Sequence, residues 1–129
     1  MAKRNKFFAK KVKNEYGVFD STSEFNHYLY LLDLEKKGEI YNLRRQVEFE
    51  ILPNQYKEVE VRLKTKIKTV KKLIERKCCY TADFVYEDSD GKTVVVDVKS
   101  KYTIKEKDYI LRRKIILYTL GIELKEVVI

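Results

Sequence analysis

Two acids and a lysine in one short stretch are the residues of this chain best placed to do chemistry. In YTADFVYEDSDGKTVVVDVKS, residues 80–100, Asp83 interrupts an apolar and aromatic run, while Asp97 and Lys99 close a strand that opens with three valines. The stretch reads as a β-hairpin. Its turn, Ser89-Asp90-Gly91, fits a three-residue loop with glycine in the left-handed position and Asp88 opposite Lys92. Counting outward pairs Tyr86 with Val94, Phe84 with Val96 and Ala82 with Val98, which makes one face apolar. The same register sets Asp83 opposite Asp97, with Lys99 two residues further along that face. Directly opposed Cβ atoms lie roughly 5 Å apart, and like charges there are destabilising. A divalent cation between the carboxylates compensates, whereas Lys99 alone does so only in part.

Glu24 offers a third carboxylate near the start of a helix. Ser21-x-x-Glu24 is also a capping box, a helix-start device worth about 1 kcal/mol. The two roles do not exclude each other.

The elements that must position these groups follow from periodicity. Phe25, Tyr28, Leu29 and Leu32 recur at helical spacing between Asp20 and Lys37, with Gly38 where a C-terminal cap belongs. Gln46 to Leu52 alternates apolar Val47, Phe49 and Ile51 with polar neighbours until Pro53. Residues 56–77 carry nine basic and three acidic side chains, and Val59, Val61, Leu63, Thr65 and Ile67 alternate at period two, so a basic ribbon or extended arm is expected there. Tyr109, Ile110, Ile116, Leu117 and Leu120 form a second helical stripe over 103–120, with Thr103 and Glu106 as a capping box and Gly121 at its end. IELKEVVI then reads as a strand. It closes a βαβ unit and should pair in parallel with the strand ending at Lys99. The fold class is α/β with a mixed sheet. One domain is expected over 20–129, behind a loose basic arm over 1–19.

Bulk composition narrows the partners. Lys and Arg number 28 against 20 Asp and Glu, a formal net charge of +8 over 129 residues, which favours a polyanion such as nucleic acid, with an anionic membrane surface as the competing reading. No apolar run approaches the ~20 residues of a bilayer span, and no signal-peptide core is evident, so a soluble intracellular protein without membrane attachment is expected. Cys78 and Cys79 are adjacent and outside any C-x-x-C pattern, and His27 is the only histidine, so a zinc site lacks ligands. A bound metal would rest on carboxylate oxygen, which favours magnesium, manganese or calcium.

Asp83, then Asp97-Val98-Lys99 fourteen residues on, behind a helix carrying Glu24, resembles the PD-(D/E)XK nuclease superfamily. FDSTSE, Gln46, YTADFVY, VVVDVKS and LGIELKEV are similar to a group of small phage-encoded proteins assigned to it. The likeness runs from Phe19 to Val127, and Ala82 departs from it, standing where a proline is common. The resemblance implies a restriction-endonuclease-like αβββαβ core and a Mg2+- or Mn2+-dependent DNA endonuclease in the cytoplasm, of the host if phage-encoded. Its role would lie in DNA recombination, repair or replication, with branched DNA among the candidate substrates. By the same resemblance, Asp83, Asp97 and the backbone carbonyl of Val98 would bind the metal, Glu24 would act through the metal or its water, and Gln46 would lie near the site. Lys99 would orient or help deprotonate the attacking water and steady charge on the phosphate.

The ordinary reading of Asp83, Asp97 and Lys99 is a surface salt-bridge cluster, which stabilises little. Charge runs are likewise usually solvated faces. Here the basic segments at 1–14, 57–77 and 99–114, with Lys64, Lys66, Lys68, Lys71, Lys72, Lys101 and Lys105, flank the proposed site and would meet a duplex backbone in a salt-sensitive way. A twofold homodimer is preferred, because cutting both strands symmetrically needs two sites about such an axis. The alternatives are a DNA-binding protein that keeps the fold without cleaving, and a small interaction protein.

Overall fold

A computed structural model describes residues 11–129. The protein is α/β, with a mixed four-stranded sheet whose strand order is β3-β6-β7-β8 and two helices. The strands of that sheet are β3 (Tyr41–Leu52), β6 (Cys78–Glu87), β7 (Thr93–Lys99) and β8 (Lys125–Val128). Helix α1 (Thr22–Lys36) packs Leu31, Tyr28 and Leu34 with Phe84, Tyr86 and Val96, while α2 (Lys107–Leu120) packs Tyr109 and Ile116 with Val85, Val95 and Ile51. The sheet is therefore buried on both faces. This is why its central strand β7 runs through Val94, Val95 and Val96 instead of alternating.

Local signals explain several boundaries. The Ser21 hydroxyl accepts from the Glu24 backbone N–H at 3.1 Å and starts α1. The β6–β7 hairpin closes through the expected three-residue loop: Asp88 N–H donates to the Lys92 carbonyl, the Asp88 carboxylate accepts from the Asp90 and Lys92 N–H groups, and Gly91 takes φ +80°. A β-carbon strains that conformation, so glycine suits it. β8 pairs parallel to β7, as the βαβ reading requires. Both cysteines are free thiols on β6.

Several expectations need correction. Residues 12–19 are not a loose arm but a small hairpin, β1 (Val12–Asn14) with β2 (Gly17–Phe19). Phe19 is 1% exposed against Phe25 and Tyr28, an anchor that periodicity could not register in so short a segment. Residues 1–10 of that arm lie outside the described residues. β3 begins at Tyr41, so Gln46 stands mid-strand and not at its head. The basic segment is a paired ribbon, β4 (Gln55–Arg62) with β5 (Ile67–Glu75), whose tight turn at Lys64-Thr65 resets the alternation. Ile67 consequently lies on the face opposite Val59 and Val61. Thr103 forms no capping box with Glu106. Its hydroxyl accepts from the Ser100 N–H and shapes a 3-10 turn (Thr103–Lys105), and α2 starts only at Lys107. Leu117 and Leu120 of the supposed stripe are exposed.

The face assignment of the central hairpin also changes. Phe84, Tyr86, Val94, Val96 and Val98 share the α1 side, but Ala82 joins the α2 cluster, and the β6–β7 ladder ends at Phe84↔Val96 before Ala82 could meet Val98. Beneath this lies a crank in the sheet. On β3, Leu43 packs on the α1 side, whereas Val47, Phe49 and Ile51, of the same parity, pack on the α2 side. On β6, Tyr80 and Ala82 belong to the α2 side and Phe84 and Tyr86 to the other. Both strands change face across the rung between Arg45↔Phe84 and Val47↔Ala82, which holds Gln46 and Asp83. Gln46 there adopts φ +50°, a left-handed conformation that breaks strand alternation in one step.

Candidate active site

The crank and the end of the β6–β7 ladder coincide, and the carboxylates sit where the two strands part. Beyond Phe84↔Val96, β6 pairs with β3 and β7 pairs with β8, so Asp83 and Asp97 occupy the first rung of the fork. Asp83 Oδ2 fills the gap left in the ladder by accepting from the Val98 N–H at 2.8 Å. Its carboxyl lies near enough to Asp97 for that neighbour to act on it electrostatically. The two acids thus meet, as the register demanded.

Asp97 is 1% exposed, and each of its oxygens has a partner of its own. The Tyr80 hydroxyl donates to Oδ2, and Lys99 Nζ lies 3.5 Å from Oδ1. Lys99 in turn sits 4.8 Å above the Tyr109 ring, whose face favours a cation. Burial, then the nearby Asp97 charge, raise the Tyr80 and Tyr109 phenols well above their ordinary range, which favours their neutral forms.

Electrostatics resolves the repulsion with a proton. Burial foremost, then the neighbouring Asp97 carboxyl, then Glu24, push the Asp83 carboxyl up to about 9 from its ordinary 3.8. The Asp83 carboxyl is thereby biased towards its protonated form, and Lys99 lies against Asp97. Asp83 is only half-buried, so the proton side of the pair is the side nearest solvent.

Glu24 is brought close but is held differently. It is 3% exposed; Oε1 accepts from the Gln46 side-chain amide at 3.0 Å and Oε2 from the Asp20 N–H at 3.1 Å. Its pKa is raised, chiefly by burial, and its charge reaches Asp83. One half of the capping box foreseen for Glu24 forms, the Ser21 hydroxyl accepting from the Glu24 N–H, while the Glu24 carboxylate takes the Asp20 N–H and not that of Ser21. Gln46 joins the site because the crank turns its amide onto Glu24. Among the described residues, no three His, Cys, Asp or Glu side chains converge as a ready set of metal ligands.

The basic residues divide by location. Lys101 and Lys105 are exposed just past Lys99, in the turn and the 3-10 segment after β7. Lys64 and Lys66 flank the ribbon tip, and Lys68, Lys71 and Lys72 lie along β5, all exposed. No hydrogen bond or ion pair joins these ribbon lysines to the carboxylate pair.

Sequence reasoning missed three residues. Tyr80 has the parity of Phe84, so alternation assigned it to the face away from Asp97; only the crank brings it across. Tyr109 was read as core stripe. Arg45 lies 3.6 Å over the Phe19 ring and donates to the Val18 carbonyl at 2.7 Å, tying the N-terminal hairpin beside Glu24, whose carboxylate its charge favours. Nothing in the local pattern marks that contact.

The oxygens at the fork are of the kind a hard divalent cation takes, although Asp83 Oδ2 and both Asp97 oxygens already have partners within the protein. Asp83, Asp97 and the Val98 carbonyl offer only oxygen, and magnesium is commonly held by one or two carboxylates with water completing its shell.

No helix among the described residues is long and apolar enough to cross a membrane. No curated protein and no solved structure matches the chain. One family profile matches residues 4–127, and the chain therefore belongs to the family described as protein of unknown function, DUF1064.

Proposed function

We propose that this protein is a metal-dependent endonuclease that hydrolyses phosphodiester bonds in DNA, with Asp83, Asp97 and Lys99 at its centre. The observation that carries the reading is the meeting of Asp83 and Asp97 at the strand fork with Lys99 on Asp97. The order α1, β3, β6, β7, α2, β8, with the ribbon inserted between β3 and β6, supports a restriction-endonuclease-like core.

Each residue has a task that its surroundings suit. Asp83, Asp97 and the Val98 carbonyl would hold Mg2+ or Mn2+, which when bound supplies an acidified water and a counter-charge for the phosphate. Tyr80 and the Val98 N–H fix the two carboxylates, so that little reorganisation is needed. Lys99, set against Tyr109, points a positive charge at an incoming phosphate. Gln46 holds Glu24 at the margin, where it orients water. A second reading, a DNA-binding protein that does not cleave, draws on one observation: both Glu24 oxygens are already engaged.

A nicking assay on supercoiled and four-way-junction DNA with magnesium or manganese separates the two. Metal-dependent cutting that disappears in both Asp97→Ala and Lys99→Ala is expected. Salt-sensitive binding with no cutting under either metal would favour the second reading, and failure to bind or cut would remove both.

A further inference from the structure

The ribbon β4–β5 has no core beneath it. Along its length only Val59 and Val70, which pair across the strands, are even half-buried. A lone two-stranded hairpin is marginally stable in water, so this one invites a partner. Strand alternation divides its side chains sharply. One face carries Lys57, Val59 and Val61 from β4 and Lys68, Val70 and Lys72 from β5; the opposite face carries Tyr56, Glu58, Glu60, Arg62, Ile67, Thr69, Lys71 and Leu73. From the Lys57 and Lys72 pair outward the first face holds no acid, and the tip, Leu63 to Lys66, adds none; Glu75 pairs with Gln55 at the ribbon's base, beyond a register shift.

Two details make that face a docking surface and not merely a solvated one. Lys57 lies directly opposite Lys72, a like-charge cross-strand pair that is unfavourable unless an anion lies over it, whereas on the other face Lys71 lies opposite Glu58. Among the described residues, no ion pair engages any ribbon lysine. A second copy of the chain would bring the same positive face and repel, so the occupant must be a polyanion. A two-stranded ribbon fits the major groove of duplex DNA, about 12 Å wide, and β4 at eight residues reaches roughly 27 Å.

We infer that the valine and lysine face of the ribbon, with the lysines at its tip, lies against the phosphates of duplex DNA while the glutamate face looks away. This deepens the nuclease reading and rests on its DNA substrate, but it assigns binding to one named face. It adds Lys57 to the contact set and removes Lys71 from it.

The test is duplex binding by the full chain in EDTA, where no cutting occurs, across a salt series. Lys57→Gln with Lys72→Gln should weaken binding about tenfold and reduce the salt slope by about 1.8. Arg62→Gln with Lys71→Gln makes the same charge change on the other face and should leave affinity within about twofold and the slope unchanged. Lys57→Arg with Lys72→Arg should keep both at their wild-type values. Equal losses from the two pairs, no loss from either, or a face-dependent loss seen only with phosphatidylserine vesicles would overturn the inference. Metal-dependent cutting with unaltered binding in the Lys57 and Lys72 variant would sink this inference alone; face-dependent binding without cutting would sink the nuclease reading alone.

Discussion

Two hairpins in this protein place like charges face to face, and they answer the repulsion in opposite ways. Asp83 and Asp97 meet inside the sheet, where burial makes a second negative charge so costly that a proton is retained and Lys99 comes to rest on Asp97. Lys57 and Lys72 meet on a ribbon that water reaches from both sides, where screening keeps the repulsion small and nothing in the fold removes it. On the proposed reading, burial makes the first pair the place where a cation would take over from a proton, and exposure leaves the second pair for a polyanion. Chemistry and grip would then lie on separate hairpins.

The contrast can be broken or sharpened by experiment. Asp97→Ala removes the buried pair, and loss of metal-dependent nicking by roughly 100-fold or more is expected in single-turnover assays, with Lys99→Ala close behind. Asp83→Asn bears on the proton. The folded state holds a proton that the unfolded chain releases near its ordinary 3.8, so wild-type stability should fall as pH rises from about 4 to about 9, by at most about 1.4 kcal/mol per pH unit. The amide keeps the shape and removes that slope, which urea midpoints across the window would report; an unchanged slope would place the proton elsewhere. Tyr80→Phe leaves the fold intact but frees one Asp97 oxygen, and manganese affinity measured by calorimetry should drop at least about tenfold. Smallest of all, Lys57→Glu should steady the free ribbon by a few tenths of a kcal/mol, visible as slower amide exchange in β4 and β5, while weakening duplex binding. A gain in both stability and binding would erase the contrast.

What the sequence made legible follows the same division. The Asp83 and Asp97 encounter was readable because Gly91 and the apolar matching of Phe84 with Val96 and Tyr86 with Val94 leave one register. The parallel pairing of β8 followed from the βαβ order. Tyr80 was not readable, since alternation, the only tool for assigning faces, fails at Gln46 and Asp83. The N-terminal hairpin was hidden for another reason: it is held by Arg45 and by rings distant in sequence, not by a periodicity of its own. The ribbon declared its charge in composition, and alternation sets Glu58 and Glu60 on one side, but which β5 lysines face away from them depends on a two-residue turn that shifts phase between Val61 and Ile67.

The left-handed backbone at Gln46 couples parts of the molecule that otherwise look separate. A non-glycine residue held there stores about 1 kcal/mol or more of strain, repaid by the packing on either side. Because the residue that turns the sheet also clamps Glu24, the hydrophobic interior and the acidic margin share one gear. Loosening Phe49 or Ile51 should therefore lengthen the Gln46 to Glu24 hydrogen bond without any change of charge, a shift that amide NMR at Gln46 would report.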